Sequence, residues 1–280
     1  MSATEDSGPR RILLVLETGS RVPTKILSVE ASVVSDVLSE ARAQDSFALL
    51  TARGPKKELR FGVPREAVLE ATKDLISQNQ AAPGVGVLDT LLEGTSWFSE
   101  PKPGDSVLLL TLGFDSEHKA DYREVQRELA SRQVRLFSIQ FAPGVMGTVG
   151  GTKITRSGGV TWVQPEILDF TSVPLATANG QTVGVMSWTS GGYALEENML
   201  GDPQHDYEIT AKDVEAVKTA ASRMQSAIEQ YYHVYLDRPG KELSFGLALD
   251  VQKKVPGAQA IYPRQALRLG VFEHCTVSKQ

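Results

Sequence analysis

Catalysis and metal binding need side chains that titrate, attack or ligate, and this 280-residue chain places few of them in workable spacing. Its four histidines, His118, His205, His233 and His274, fall in four different segments. None stands in an H-E-x-x-H spacing, which would set two imidazoles on one helical face. A zinc site would need three or more ligands gathered by the fold alone. Asp115, Glu117 and His118 crowd one loop, where a carboxylate beside an imidazole offers a base and its orienter. The plainer reading of that loop is solvated surface. His233, between Tyr232 and Val234, sits at a helix-to-strand boundary where a structural hydrogen bond is the default.

Nucleophiles fare no better. Ser20 lies in T-G-S-R, and neither Ser157 nor Ser190 has the second glycine of a G-x-S-x-G elbow. Cys275 follows His274 directly, and adjacent residues on a strand face opposite sides, so they form no thiolate pair. The glycine pairs 150–151, 158–159 and 191–192 match no phosphate-loop pattern and none links an apolar strand to a helix. Catalysis is therefore not expected.

Composition narrows the partners. With 41% hydrophobic and 22% charged residues the chain is globular, and a formal charge of −5 gives no broad basic field. Nucleic acid and anionic membrane surfaces are excluded as sequence-independent partners. No stretch approaches the roughly 20 apolar residues that span a bilayer, so no direct membrane insertion is expected. One cysteine rules out an internal disulfide and a cysteine-rich zinc cluster. The start, MSATEDSGPRR, has no apolar segment after its arginines. The compartment stays open: cytoplasmic as written, extracytoplasmic if a leader has been removed.

The elements that must carry these residues read as alternating strands and helices. Ile12 to Leu16 and Val107 to Leu112 are continuous apolar runs, the pattern of parallel strands buried on both faces. Ser46 to Ala52 and Val134 to Phe141 are further strands, and Leu59 to Val63 pairs as an antiparallel edge. Val29 to Arg42, Arg65 to Gln78, Val85 to Gly94, Tyr122 to Arg132 and Ala211 to Tyr232 carry helical periods. This alternation predicts an α/β fold, a doubly wound, mostly parallel sheet flanked by helices. Pro143 to Trp188, rich in Gly, Thr and Ser, reads as an inserted β hairpin or extended loop. Leu243 to Val251 and Gln259 to Tyr262 switch to a period of two, as antiparallel strands do. The expected organisation is a disordered tail over 1–10, a main domain over 11–236 with the insertion at about 143–188, and a C-terminal β extension over 237–280.

The segments RRILLVLETGSRV, DSFALLTARGPKKELRFG, PGVGVLDTLLEG, GDSVLLLTLGFDSE, ASRQVRLFSIQFAPG, SGGYALEE and IEQYYHVYLDRPGKELSFGLALDV come in an order that resembles a von Willebrand factor A domain. The likeness is to the bacterial group with a C-terminal strand extension. It implies a Rossmann-like sheet, an adhesion-type binding role and, in the family, a divalent cation at the carboxyl edge. That site takes D-x-S-x-S after the first strand, a Thr opening the third helix and an Asp after the next central strand. On this chain those places fall to Glu17, Gly19, Arg21, Val85 and Leu112. Only Glu17 brings a carboxylate, and hard cations such as Mg²⁺ or Ca²⁺ need several oxygens. The resemblance therefore implies a degenerate site and no cofactor, the alternative being a metal-dependent protein with a non-standard ligand set.

What remains is protein recognition. Arg21 could supply the missing positive charge, pair with Glu17 and receive a partner's carboxylate; the plainer expectation is that Arg21 points into solvent and Glu17 caps a helix. Candidate partner-binding residues are Glu17, Ser20, Arg21, Asp115 and His118 at the edge, with Trp97, Phe98 and Trp162 as aromatic anchors in polar loops. Another reading makes the body a scaffold whose C-terminal strands pair with a second chain.

Overall fold

The computed structural model describes residues 2–6, 8–19, 22–77, 84–102, 104–112, 119–141, 155–157, 160–162, 179–197, 209–229 and 231–235. In chain order the elements are β1 (Ser2–Asp6), β2 (Arg11–Glu17), α1 (Thr24–Glu40), β3 (Ser46–Ala52), β4 (Glu58–Leu59), α2 (Arg65–Ser77), α3 (Val87–Thr95) and β5 (Ser106–Thr111). Then follow α4 (Tyr122–Ser131), β6 (Arg135–Gln140), β7 (Thr155–Ser157), β8 (Val160–Trp162), α5 (Asn179–Ser190), β9 (Ala194–Glu197), α6 (Ala211–Glu229) and β10 (Tyr231–Tyr235).

Eight strands form one sheet in the order β4-β3-β2-β5-β6-β9-β8-β7. Strands β3, β2, β5, β6 and β9 run parallel; β4 pairs antiparallel with β3 at one end, and at the other β8 pairs antiparallel with both β9 and β7. The apolar run of β2 explains its central place. Ile12, Leu14 and Leu16 enter one core with residues of α1, α2 and α6, and Leu13 and Val15 enter the other with residues of α3, α4 and α5. All five are at most 1% exposed, and burying such a side chain contributes roughly 1.5–3 kcal/mol. The doubly wound architecture expected from the alternation is the one observed.

The amino edge of the sheet is tied to the end of α6. Arg135, at the start of β6, donates to the carbonyls of Ala227 at 2.9 Å and Ile228 at 3.2 Å. Arg42 and Arg10 both donate to the carbonyl of Glu229, at 3.2 and 3.4 Å. Three guanidinium groups thus meet the last carbonyls of a helix, where the macrodipole is negative and intrahelical donors run out.

Three expectations change. Part of the segment expected to be a hairpin or loop is helical: α5 covers Asn179–Ser190, while β7 and β8 supply an antiparallel hairpin earlier in it. Val183, Val185, Met186 and Ser187 are all buried, so the described side chains of α5 are largely enclosed, and packing against the sheet overrides its Gly, Thr and Ser content. Gly191, with φ of 88°, ends it as the left-handed residue such helix ends favour. Ser2–Asp6, expected in a disordered tail, pair as β1 with β10 over their whole length, Ser2 opposite Tyr235 and Asp6 opposite Tyr231. Finally, α6 stops at Glu229, and the aromatic, β-branched run Tyr231–Tyr235 is a strand instead of a helix end. The strands expected over 243–251 and 259–262 lie outside the described residues.

Candidate functional site

An open α/β sheet leaves a crevice at the carboxyl ends of its strands where the chain order reverses, here between β2 and β5. Glu17 ends β2 at that crevice and is 0% exposed. Its Oε1 accepts from Arg53 Nη1 at 3.2 Å. Its Oε2 accepts from Thr111 Oγ1 at 2.5 Å and from the Leu112 backbone N–H at 2.8 Å. Three donors from two neighbouring loops thus close on one buried carboxylate. Such pairing and hydrogen bonding offset the cost of taking the charge out of water.

Arg53 is held in place by its backbone as well as by its charge. It has a φ of 64°, and its N–H donates to the Val85 carbonyl at 2.9 Å. A Cβ on Gly84 would come within 2.2 Å of the Arg53 carbonyl carbon, and one on Gly54 within 2.2 Å of Thr18 Oγ1. The loops after β2 and β3 and before α3 approach this closely only because glycine stands at these points. On the other side of the crevice, Asp89 in the first turn of α3 accepts from the backbone N–H groups of Lys119 at 2.9 Å and Ala120 at 2.7 Å. Val85 is 44% exposed, the one large hydrophobic side chain so exposed among the described residues.

Two buried polar groups border the site without a hydrogen-bond partner. Glu30, on the sheet-facing side of α1, is 1% exposed and neither carboxyl oxygen is bonded. Burial, reinforced by the nearby charge of Glu17, pushes its carboxyl well above the usual range. Gln140 ends β6 opposite Thr111 in register, and its side-chain amide is likewise unbonded and buried.

The expected site residues distribute unevenly. Glu17, Gly19, Val85 and Leu112 come together at the carboxyl edge. Ser20, Arg21, Asp115 and His118 lie outside the described residues, as does the side chain of Trp162. Glu17 caps no helix and faces no solvent; the helix after it begins at Pro23 with no side-chain cap. Among the described residues the cation on Glu17 is Arg53, a residue the sequence reading passed over. Trp97 and Phe98, expected as loop anchors, are 8% and 0% exposed and belong to the core beside α3 and α4. Phe98 stacks edge-on against Phe61 at 5.0 Å and Arg60 lies over the Trp97 ring at 4.3 Å, so these aromatics pack beneath the loop.

Among the described residues the carboxyl edge offers a divalent cation few open donors. Gly19, Val85 and Leu112 offer no side-chain oxygen, and both Glu17 oxygens already accept hydrogen bonds. Among the described residues no three His, Cys, Asp or Glu side chains gather as a metal group would.

Strand order β4-β3-β2-β5-β6-β9, with only β4 antiparallel in that run, helices on both faces and a crevice beside the first central strand complete the comparison begun with the sequence. The fold is von Willebrand A-like. No family model matches the chain, and no curated protein matches it by sequence. Among solved structures, an aerotolerance-related membrane protein from Bacteroides fragilis is similar at 12% identity over 79% of this chain and 100% of that one, with a TM-score of 0.46. The BatB protein of Bacteroides thetaiotaomicron is similar at 15% identity over 78% of this chain and 100% of that one, with a TM-score of 0.47. The manganese-loaded TRAP protein of Plasmodium vivax is 16% identical over 52% of this chain and 62% of that one, with a TM-score of 0.40. In this A-like body the described residues that tie the carboxyl edge together are Arg53, Thr111, Gly54, Gly84 and Asp89. A lone arginine directly after a strand, followed by glycine as in T-A-R-G, was the available signal for Arg53. Nothing in the sequence marks Thr111 as a partner of Glu17 before the strands are set in register.

Proposed function

We propose that this chain is a non-enzymatic protein-recognition module of adhesion or scaffold type that binds its partner through the carboxyl-edge loops without a metal. The observation that carries the reading is the Glu17 carboxylate, held by Arg53, Thr111 and Leu112 where relatives of this fold would offer it to a cation. A guanidinium fixed in that crevice supplies the positive charge that organises the loops. Val85 gives the rim an exposed apolar point beside Gly84. Proteins recognise one another through such preorganised loops on rigid sheets, with no chemistry needed.

The test is calorimetric titration of chelator-treated protein with Mg²⁺, Ca²⁺ and Mn²⁺ while its melting temperature is followed. A ligand at a hundred times its dissociation constant stabilises a fold by about 2.7 kcal/mol, so a bound metal is readily seen. The reading expects no heat and no shift. Heat with a rise in melting temperature that Glu17→Gln abolishes would overturn it and restore a metal-dependent module.

A further inference from the structure

We propose that Glu30 is a pH-sensitive latch on the carboxyl edge: protonated, it lets α1 pack against the sheet, and on losing its proton it loosens the start of α1 and the Glu17–Arg53 pair. The effect on recognition rests on the carboxyl-edge reading above; the latch itself does not.

The geometry carries the argument. Glu30 is buried on the face of a 17-residue helix whose other inward residues, Ile26, Leu27, Val29, Val33, Val34, Val37 and Leu38, are apolar. Neither of its oxygens has a hydrogen-bond partner. A carboxyl in that position is tolerable when neutral and costly when charged, because nothing nearby replaces the lost hydration. Among the described residues the buried faces of α2 and α6 offer Glu30 no counter-charge, and Arg65 at the start of α2 is engaged by the carbonyls of Leu38 and Ala41 at the other end of α1. The buried residues of α2 are Val68, Ala71, Thr72 and Leu75, and those of α6 are Val217, Ala220, Ala221, Met224, Gln225 and Ile228. From the sheet comes Glu17, a like charge that raises Glu30 further, with Arg53 beyond it already paired to Glu17. Asp36 and Lys218 join α1 to α6 at 3.6 Å, but both are more than 40% exposed.

The step is a single proton transfer. The Glu30 O–H bond breaks, the proton passes to solvent base and the negative charge stays on the carboxylate. That charge is relieved by reaching water or by drawing Arg53 from Glu17, and either route moves the start of α1. The sign follows from the raised folded value. Below the ordinary carboxylate range both folded and unfolded chains carry the proton. Above it the unfolded chain has lost the proton while the fold keeps it, so stability declines as pH rises until Glu30 itself ionises in the fold.

Amide hydrogen exchange of the full chain, corrected for intrinsic rates, tests this between about pH 5 and pH 9, where one proton changes an opening constant by about tenfold per pH unit. In the wild type, protection of residues 24–30 at the start of α1 should fall with pH relative to α3 and α4. Glu30→Gln should hold that protection level, and Glu30→Leu serves the same purpose without a polar group. The Glu30→Gln melting temperature should exceed the wild-type value at high pH and converge with it at low pH. Parallel pH profiles in the wild type and both variants would overturn the latch. Neither readout uses a partner or a metal, so a failure here is separate from a failure of the recognition reading.

Discussion

Arg53 Nη1 lies 3.2 Å from Glu17 Oε1, with side chains only 6% and 0% exposed, so the carboxyl edge is organised around a buried ion pair linking the loops after two adjacent strands. Breaking such a pair from one side leaves a charge without compensation. Arg53→Ala is expected to cost about 3–5 kcal/mol. Replacing both partners by apolar residues should cost much less than the sum of the single changes. Urea unfolding of the two single variants and the double variant measures the coupling; additive losses would show that the pair does not act as a unit.

Gly84→Ala is expected to destabilise the fold by about 1–3 kcal/mol, because the new methyl would press on Arg53 backbone atoms that cannot rotate away. Gly62 makes the control. Its φ of 100° strains any other residue, but a Cβ there meets nothing within 4 Å, so Gly62→Ala should cost only about 1–2 kcal/mol. Thermal melts of both variants separate steric closure of the edge from backbone strain alone.

How far the sequence foretold this structure depends on whether a residue's role is local. Ile12 to Leu16 and Val107 to Leu112 could be read as buried strands because continuous apolar runs have one economical explanation in an alternating chain. Arg53 and Thr111 were not legible, because each acquires its role across a strand pairing. Trp97 misled for a related reason: polar neighbours in sequence suggested exposure, while Phe98, Arg60 and α3 enclose it in space. The helix α5 hid because its apolar residues lie all round it, which erases the period that identifies a half-buried helix.

Trp97→Ala should therefore behave as a core truncation, costing about 3–5 kcal/mol in chemical denaturation. Trp97→Phe should cost far less, since it removes an indole N–H that is buried without a partner. If Trp97→Ala proved neutral to stability, the aromatic would be surface material after all.

Arg135→Met should loosen the last turn of α6, leaving the carbonyls of Ala227 and Ile228 without their guanidinium donors, at a cost of about 1–3 kcal/mol. Hydrogen exchange should report the loss mainly at residues 225–229, with α3 and α4 unchanged. A uniform change across the body would instead mean that Arg135 supports the sheet itself.

The arginine-bound end of α6 also decides which way the body faces. Arg10, just before β2, and Glu229, at the close of α6, meet at the amino edge, and the chain continues from both into the paired strands β1 and β10. Anything joined to the body through that ribbon hangs from one pole, while Glu17, Arg53 and Val85 occupy the opposite pole. The ribbon therefore leaves the body at the end away from the proposed recognition loops, and immobilising the protein by the ribbon should leave those loops accessible.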